Sequence, residues 1–553
     1  MATADDVMYD NTIDQLSVDD LNPTTNEKRV NYVTDQNNGS YAGEITFDGT
    51  SLVGGDQYVS WKESYIQIPM QTTLTNGAVA STTAISAYAL GIKNGWYQFV
   101  DSISVYMNGQ ELVSQTPYTN MIINAMTMTK WSKDELKLKG ATHGVFPDTG
   151  GAVKYSTAST TSGDGFYNTT NGLPFVSTAA AGFLRNDYMN HGMKERQNKT
   201  TAFDPVNSTL TSMNTDAKAK LINKNYFTQG AVTASTAAGT WNYMVNLPLS
   251  ILSDLFDKYP LVKGGQLRIV LRYNASVSTV NSVNADAKLK VVTNTQSYGH
   301  TNPILMANPL SGSVGITASA TNSTHTISTK VSVSSFNISS ARLYSTSYRL
   351  NPQYESRILS STPKKEIRYL DVFNQNINTI GSGNSVNQIL TTSITNPKYV
   401  VVLPFCASKS NSTTMIAASM SQYHSVFDTA PSTTLPYGAI ACQQFQVNVA
   451  NKNMFQQASN YDFEMFQNEV SKLGLNGGIG SVVSGLLDVE DWNTHSYMVC
   501  DVSRRLIEDD GSRKAVSVSF TNNSGLTCDY VCFILYEKTI MVDILTGAVE
   551  RIQ

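Results

Sequence analysis

The sequence predicts an all-β protein: two jelly-roll β-sandwiches in tandem, with long inter-strand loops and a few short helices. Three observations predict it. Short runs in which β-branched and aromatic residues alternate with period two recur along the 553 residues. Helical periodicity is confined to a few short segments, so few parallel βαβ units can be written. The stretches between are filled by Ser, Thr, Asn and Gln, and only 15% of residues are charged. Average domains carry about 25% charged residues, so this surface must consist largely of neutral polar groups.

Residues 1–35 show no apolar periodicity and carry scattered Asp and Asn. They read as an extended N-terminal arm. Order is expected to begin near Tyr41, and residues 36–360 are assigned to a first jelly roll with long loop insertions. Residues 58–70 (YVSWKESYIQIPM) alternate. In an unbroken strand Val59, Trp61 and Tyr65 share one face, and Ile66 and Ile68 the other. Next, Phe99, Asp101, Ile103, Val105 and Met107 share a strand face, and Asn108-Gly109 is a two-residue hairpin turn. The period then changes. Pro117 suits a helix start, and Tyr118, Met121, Ile122, Ala125 and Met128 recur at helical spacing as a core stripe.

Residues 132–240 are long and irregular, rich in Gly, Thr, Ser, Ala and Asn, and read as an insertion between two strands. Strand character returns at 242–247. Pro248 opens a short helix, Gly264-Gly265 turns the chain, and Leu267, Ile269 and Leu271 line the next strand. A second loop-rich stretch spans 274–329. Strands are expected at 331–336 and 341–350, and the domain boundary at 360–363. A second jelly roll, 361–553, has strands near 366–373, 399–405, 445–449, 496–502, 515–520 and 530–536. One helix carries Phe463, Phe466, Val470 and Leu473, capped by Asn460 and ended by Gly474. A final hairpin turns at Thr546-Gly547. No repeat strong enough to establish duplication is legible.

Several function classes are excluded or left without support. The net charge is −4 and no dense Lys/Arg run appears, so direct, sequence-specific binding to nucleic acid is not expected. No run of eighteen apolar residues exists to cross a membrane as a helix. Five cysteines (Cys406, Cys442, Cys500, Cys528, Cys532) are too few for a disulfide scaffold and read as small buried thiols, with Cys528 and Cys532 on one strand face. The opening is acidic and polar, unlike a signal or transit peptide, which suggests cytosolic synthesis and reduced thiols.

No catalytic, cofactor-binding or metal-binding residues are assigned. His143, His191, His300, His325, His424 and His495 are too far apart for a helical two-His metal pair. Glu508-Asp509-Asp510-Gly511 reads as a charged hairpin turn, because the flanks of a calcium loop are missing. The glycine-rich stretch 474–480 follows a helix and lacks the Lys-Ser/Thr of a phosphate loop. No GxSxG elbow is present. Sequons at Asn168, Asn198 and Asn322 are expected by chance in a chain of this composition.

Four runs in order carry a resemblance. Residues 99–113 (FVDSISVYMNGQELV) followed by a helix resemble the early hairpin of double jelly-roll major capsid proteins. Residues 190–196 (NHGMKER) resemble a short motif in that family's first long loop. Residues 245–256 (VNLPLSILSDLF), then Gly264-Gly265 and 267–273 (LRIVLRY), resemble its strand, short helix and strand near the end of the first jelly roll. Residues 341–357 and 365–370 resemble its passage from first to second jelly roll. The resemblance covers most of residues 40–553 and is strongest to capsid proteins of polinton-like viruses and virophages. It implies a structural protein without catalytic residues or cofactors. Homotrimers would form pseudo-hexagonal capsomers of an icosahedral shell in the virion, assembled inside the host cell beside penton and minor capsid proteins. Whether a membrane takes part is left open. The alternatives are a carbohydrate-binding or adhesin-like β-sandwich of a surface appendage and a glycoside hydrolase on a β-sandwich. The latter would need two carboxylates placed by tertiary geometry.

Overall fold

The computed structural model describes residues 25–53, 56–76, 90–147, 226–229, 237–283, 288–306, 323–336, 338–361, 363–406, 442–473, 485–489, 492, 497–503, 512–523 and 527–552. Eight strands build the first half: β1 (Thr25–Thr34), β2 (Glu44–Asp48), β3 (Tyr58–Asn76), β4 (Val100–Met107), β5 (Gln110–Val113), β6 (Ala237–Pro248), β7 (Leu267–Tyr273) and β8 (Arg342–Leu350). One sheet runs β1-β8-β3-β6 and the other β2-β7-β4-β5, with every neighbouring pair antiparallel. Eight more build the second half: β9 (Lys364–Ile380), β10 (Ser385–Ile394), β11 (Pro397–Cys406), β12 (Cys442–Val449), β13 (Lys452–Asn453), β14 (Met498–Asp501), β15 (Lys514–Asn522) and β16 (Cys528–Asp543). Their sheets run β9-β16-β11-β14 and β10-β15-β12-β13. Counted within each half, both orders are 1-8-3-6 and 2-7-4-5. That is the two-sheet, double Greek-key wiring of a jelly roll, made twice. Among the described residues six helices accompany the strands: α1 (Thr119–Lys130), α2 (Lys133–His143), α3 (Leu249–Leu252), α4 (Asp254–Lys258), α5 (Pro352–Ser361) and α6 (Phe463–Leu473).

The N-terminal expectation is corrected where it can be seen. Residues 25–34 are not an unpacked arm. They form the first strand of the first jelly roll, paired along its length with β8 from Thr25↔Leu350 to Thr34↔Arg342. One face is only partly buried and carries Thr25, Glu27 and Asn31 beside Val33, and the other is exposed, so no apolar alternation marks the strand. The backbone ladder to β8 holds it instead. Residues 1–24 lie outside the described residues.

β3 is also not the unbroken strand expected. Its register to β8 passes from Ser60↔Thr346 to Tyr65↔Tyr344, so five steps on β3 match two on β8. This bulge reverses the side-chain parity. Val59, Trp61, Ile66 and Ile68 therefore all enter one core, and Tyr65 faces the other way. Within the bulge the Ser64 hydroxyl donates to the Ser60 carbonyl at 2.8 Å.

Two loop assignments, one strand and one helix cap change. Residues 133–143 are helical, started by a capping box in which Ser132 Oγ accepts from the Glu135 amide and the Glu135 carboxylate accepts from the Ser132 amide. The stretch 274–329 contains paired strands Ala275–Val283, Lys288–Tyr298 and Ser323–Val331, which extend the sheet from the far end of β3. Pairing satisfies the backbone whether or not the side chains alternate in polarity. The strand expected at 331–336 ends at Val331, and Val333–Phe336 is a single 3-10 turn. Helix α6 begins at Phe463, so Asp462 rather than Asn460 caps it, accepting from the Met465 amide at 2.8 Å. The Asn108-Gly109 turn has both residues at positive φ, as a tight hairpin of this hand requires.

Two apolar cores form, and they do not respect the boundary between the halves. The first core takes Ile367, Tyr369, Ile540, Val542 and Val549 from the second half. The second core takes Met121, Ile122, Ala125 and Met128 from α1 of the first. The expected Met/Ile stripe of α1 is thus core, but it is the neighbouring sandwich's core.

Candidate functional site

The histidines do not converge. His143 ends α2, with Nδ1 2.8 Å from the Lys139 carbonyl, and burial lowers its pKa. His300 Nδ1 lies 2.8 Å from Oδ1 of buried Asp101, which also accepts the His300 backbone amide. His325 lies in the strand Ser323–Val331. His191, His424 and His495 lie outside the described residues, as do the acidic turn 508–511, the glycine-rich 474–480 and the sequon asparagines Asn168, Asn198 and Asn322. Among the described residues, no three or more His, Cys, Asp or Glu gather in a way that could hold a metal ion. Cys442, Cys500, Cys528 and Cys532 are buried free thiols. Cys528 and Cys532 both face the second core, and burial raises the pKa of Cys442 and Cys532 far above the ordinary thiol range. Cys406 stands opposite Cys528 in the β11–β16 register.

Polar groups collect at the seam between the sandwiches. β5 of the first half ends against β9 and β16 of the second. The Tyr369 hydroxyl donates to the Leu112 carbonyl at 2.6 Å, and Thr116 Oγ1 donates to the Val372 carbonyl at 2.8 Å. Asp371 and Lys538, 3% and 5% exposed, form a short buried ion pair. Lys538 also donates to the Leu112 carbonyl and to Ser114 Oγ, both at 3.2 Å, and Tyr536 donates to Asp371 at 3.1 Å. The pair is thus hydrogen-bonded on both sides, which a buried charge pair needs if it is not to destabilise. Burial, and then the Asp371 charge, raises the pKa of the Tyr369 and Tyr536 phenols, so both stay protonated donors.

Two backbone contacts close the same seam. The Gly264-Gly265 turn meets the C-terminal hairpin. A side chain on Gly264 would lie 2.5 Å from the Leu545 carbonyl oxygen, and one on Gly547 (φ +64°) would lie 2.2 Å from the Gly264 carbonyl oxygen. Asn108 bridges the two turns, accepting from the Gln266 amide and donating to the Gly547 carbonyl at 2.8 Å. At the other end of the seam, Leu486 donates its amide to the Met128 carbonyl at 2.8 Å, and Tyr497 donates to the Ala125 carbonyl at 3.3 Å. Between these contacts lies a cleft of about 570 Å³, walled by α1, α3, α4 and β9.

The outer face of the first sheet is a separate candidate surface. Tyr65 stacks on Tyr344 at 4.9 Å and Tyr344 lies 5.5 Å from Tyr32, with Arg342 over the Tyr32 ring. Lys28 pairs with Glu63, which accepts from the Tyr348 hydroxyl. Val30 and Tyr32 are more than half exposed. Sequence reasoning missed this face, because the bulge that turns Tyr65 outward and the strand that carries Tyr32 were both unrecognised.

No protein-family model and no curated protein matches the chain. Solved structures do. A chain in the structure of the Sputnik virophage aligns over 96% of this chain and 89% of its own length, at 12% identity and TM-score 0.49. The mavirus major capsid protein aligns over 94% and 89%, at 10% identity and TM-score 0.45. The Faustovirus major capsid protein aligns over 94% and 91%, at 10% identity and TM-score 0.42. Along nearly its whole length, then, the chain is similar to viral capsid structures.

Proposed function

We propose that this chain is the major capsid protein of an icosahedral virus, that it forms homotrimers, and that these trimers are the pseudo-hexagonal capsomers of the shell. The observation that carries the reading is the tandem of two jelly rolls with one strand order, locked side by side by a shared core and a polar seam. Three such chains supply six similar blocks, which suits tiling on a hexagonal lattice. A cyclic trimer needs two different, mutually complementary sides on each chain. The two rolls differ in the lengths of their connections, so they present different surfaces. Three of the four motifs that resemble the capsid family fall on corresponding elements: 99–113 on the β4–β5 hairpin before α1, 245–273 on β6, α3, α4 and β7, and 341–370 on β8, α5 and β9; residues 190–196 lie outside the described residues.

On this reading the protein is structural and carries out no catalysis. It resides in the virion after assembly in the host cell, meets neighbouring capsomers together with penton and minor capsid proteins, and makes no sequence-specific contact with nucleic acid. The division at residues 360–363 separates the two rolls, with the first starting at β1. Sedimentation and negative-stain imaging of purified full-length protein test the proposal. Trimers or shells are expected. Monomers that never assemble, or fibres that bind glycans, would replace it with the appendage reading.

A further inference from the structure

The cleft between the sandwiches has an apolar floor and one charge without a counterpart. Ile122, Ile123, Ile251, Leu370, Val372 and Leu535 supply the floor from both halves of the chain. Lys130, the last residue of α1, stands in the wall. Among the described residues its ammonium has no hydrogen-bond or ion-pair partner. The carboxylates around it are already engaged. Asp254 accepts from Lys258 at 2.8 Å and from the Leu370 amide at 2.9 Å. Asp257 pairs with Lys62 at 3.1 Å, Glu135 with Lys139 at 3.2 Å, and Asp371 with Lys538. Each negative group in the wall thus has its own lysine, and Lys130 is the remainder. Burial pushes its pKa down to about 8, and the more distant Asp254 and Asp257 charges offset that only in part.

We propose that the inter-sandwich cleft binds an aliphatic carboxylate, with the chain on the apolar floor and the carboxylate against Lys130. The volume falls within the range of ordinary small-molecule pockets, roughly 300–1,000 Å³. Charge decides the headgroup. A single uncompensated cation flanked by Asp254 and Asp257 matches a monoanion, whereas a phosphate dianion would bring a second charge towards those carboxylates. Because α1 and β9 both wall the cleft, a bound molecule would touch both jelly rolls and resist their separation. The proposal goes beyond the shell reading and does not require it.

Calorimetric titration of the full chain with dodecanoate, dodecanol and dodecyl phosphate, each below its aggregation limit, tests this. Dodecanoate should bind about tenfold or more tighter than dodecanol, the order expected of one partly buried charge pair. Dodecyl phosphate should bind more weakly than dodecanoate. Lys130→Met should abolish the preference for dodecanoate over dodecanol, and Lys130→Arg should keep it. If Lys130→Met does not fold, the wild-type and Lys130→Arg comparisons still decide. Absence of dodecanoate binding, equal binding of dodecanoate and dodecanol, a phosphate preference, or an unchanged preference in folded Lys130→Met would each overturn the proposal.

Discussion

The two jelly rolls share a strand order and differ in what hangs from it. In the first, residues 114–236 separate β5 from β6, and 274–341 separate β7 from β8. The corresponding connections in the second are 454–497 and 523–527. Sixteen strands therefore suffice for the two sandwiches, and at these two connections the extra chain belongs to the first roll, whereas between the third and fourth strands the second roll has the longer connection, 407–441 against 77–99. Loop closure grows only slowly more unfavourable with length, so the fold tolerates such insertions while the strand faces stay buried. The cores show the opposite tendency. Each roll borrows side chains from the other, through α1 in one direction and the ends of β9 and β16 in the other. The rolls diverge at their loops and are fused at their seam.

The strongest way to break this comparison is to put a charge in each core. Ile269→Asp and Val518→Asp both replace fully buried residues, one per roll. An unpaired buried charge exceeds the whole stability margin of about 5–15 kcal/mol when it cannot reach water. Each change should abolish folding of the entire chain, because the cores are shared. Proteolysis of the variants checks it: a resistant fragment of the unmutated roll would show that the rolls fold independently.

Lys538→Met acts on the seam and leaves Asp371 buried without its cation. Breaking a buried pair in this way costs about 3–5 kcal/mol. Chemical denaturation should show that loss. The wild type should unfold in a single transition, because the cores are shared, and in the variant that transition should separate into two as the rolls uncouple.

Met128→Ala tests the borrowed side chains. Met128 is fully buried in the second core although its helix belongs to the first roll. Truncation should cost about 2–4 kcal/mol, within the usual range for a core methionine. Hydrogen exchange should report the loss on β11 and β14 of the second roll. Loss of protection confined to the first roll would contradict the exchange of core residues.

The smallest effect is expected where the rolls differ most. Replacing 157–165, the polar tip of the long insertion of the first roll, by a short Gly/Ser linker should change stability by no more than an ordinary surface substitution does, within about 0.5 kcal/mol, as thermal melting would read it. Those residues lie outside the described ones, and the expectation rests on their composition. A loss comparable to Ile269→Asp would make the segment part of the core.

Elements with a strong local pattern were legible. The hairpin at Asn108-Gly109, the strand 267–273 and the α1 stripe appear where alternation, turn residues and helical spacing place them. Elements held by partners rather than by pattern were not. β1 is an edge strand with mixed faces, and the strands between 275 and 298 carry Ser, Thr and Asn throughout. Helix α2 did have a signal, the Ser132–Glu135 capping box, but little apolar periodicity to support it.

By itself, then, the sequence determined the all-β class and most of the strands that bury an alternating face. Those are consequences of side-chain period and turn chemistry, which act within a few residues. Tertiary structure alone decided three things. It revealed that the two halves have one wiring, because strand order depends on pairings between distant residues. It decided which core α1 fills, because an apolar stripe specifies that a face is buried but not against what. And it isolated Lys130, because whether a charge is compensated depends on carboxylates brought together from three separate elements and on which lysine each of them already holds.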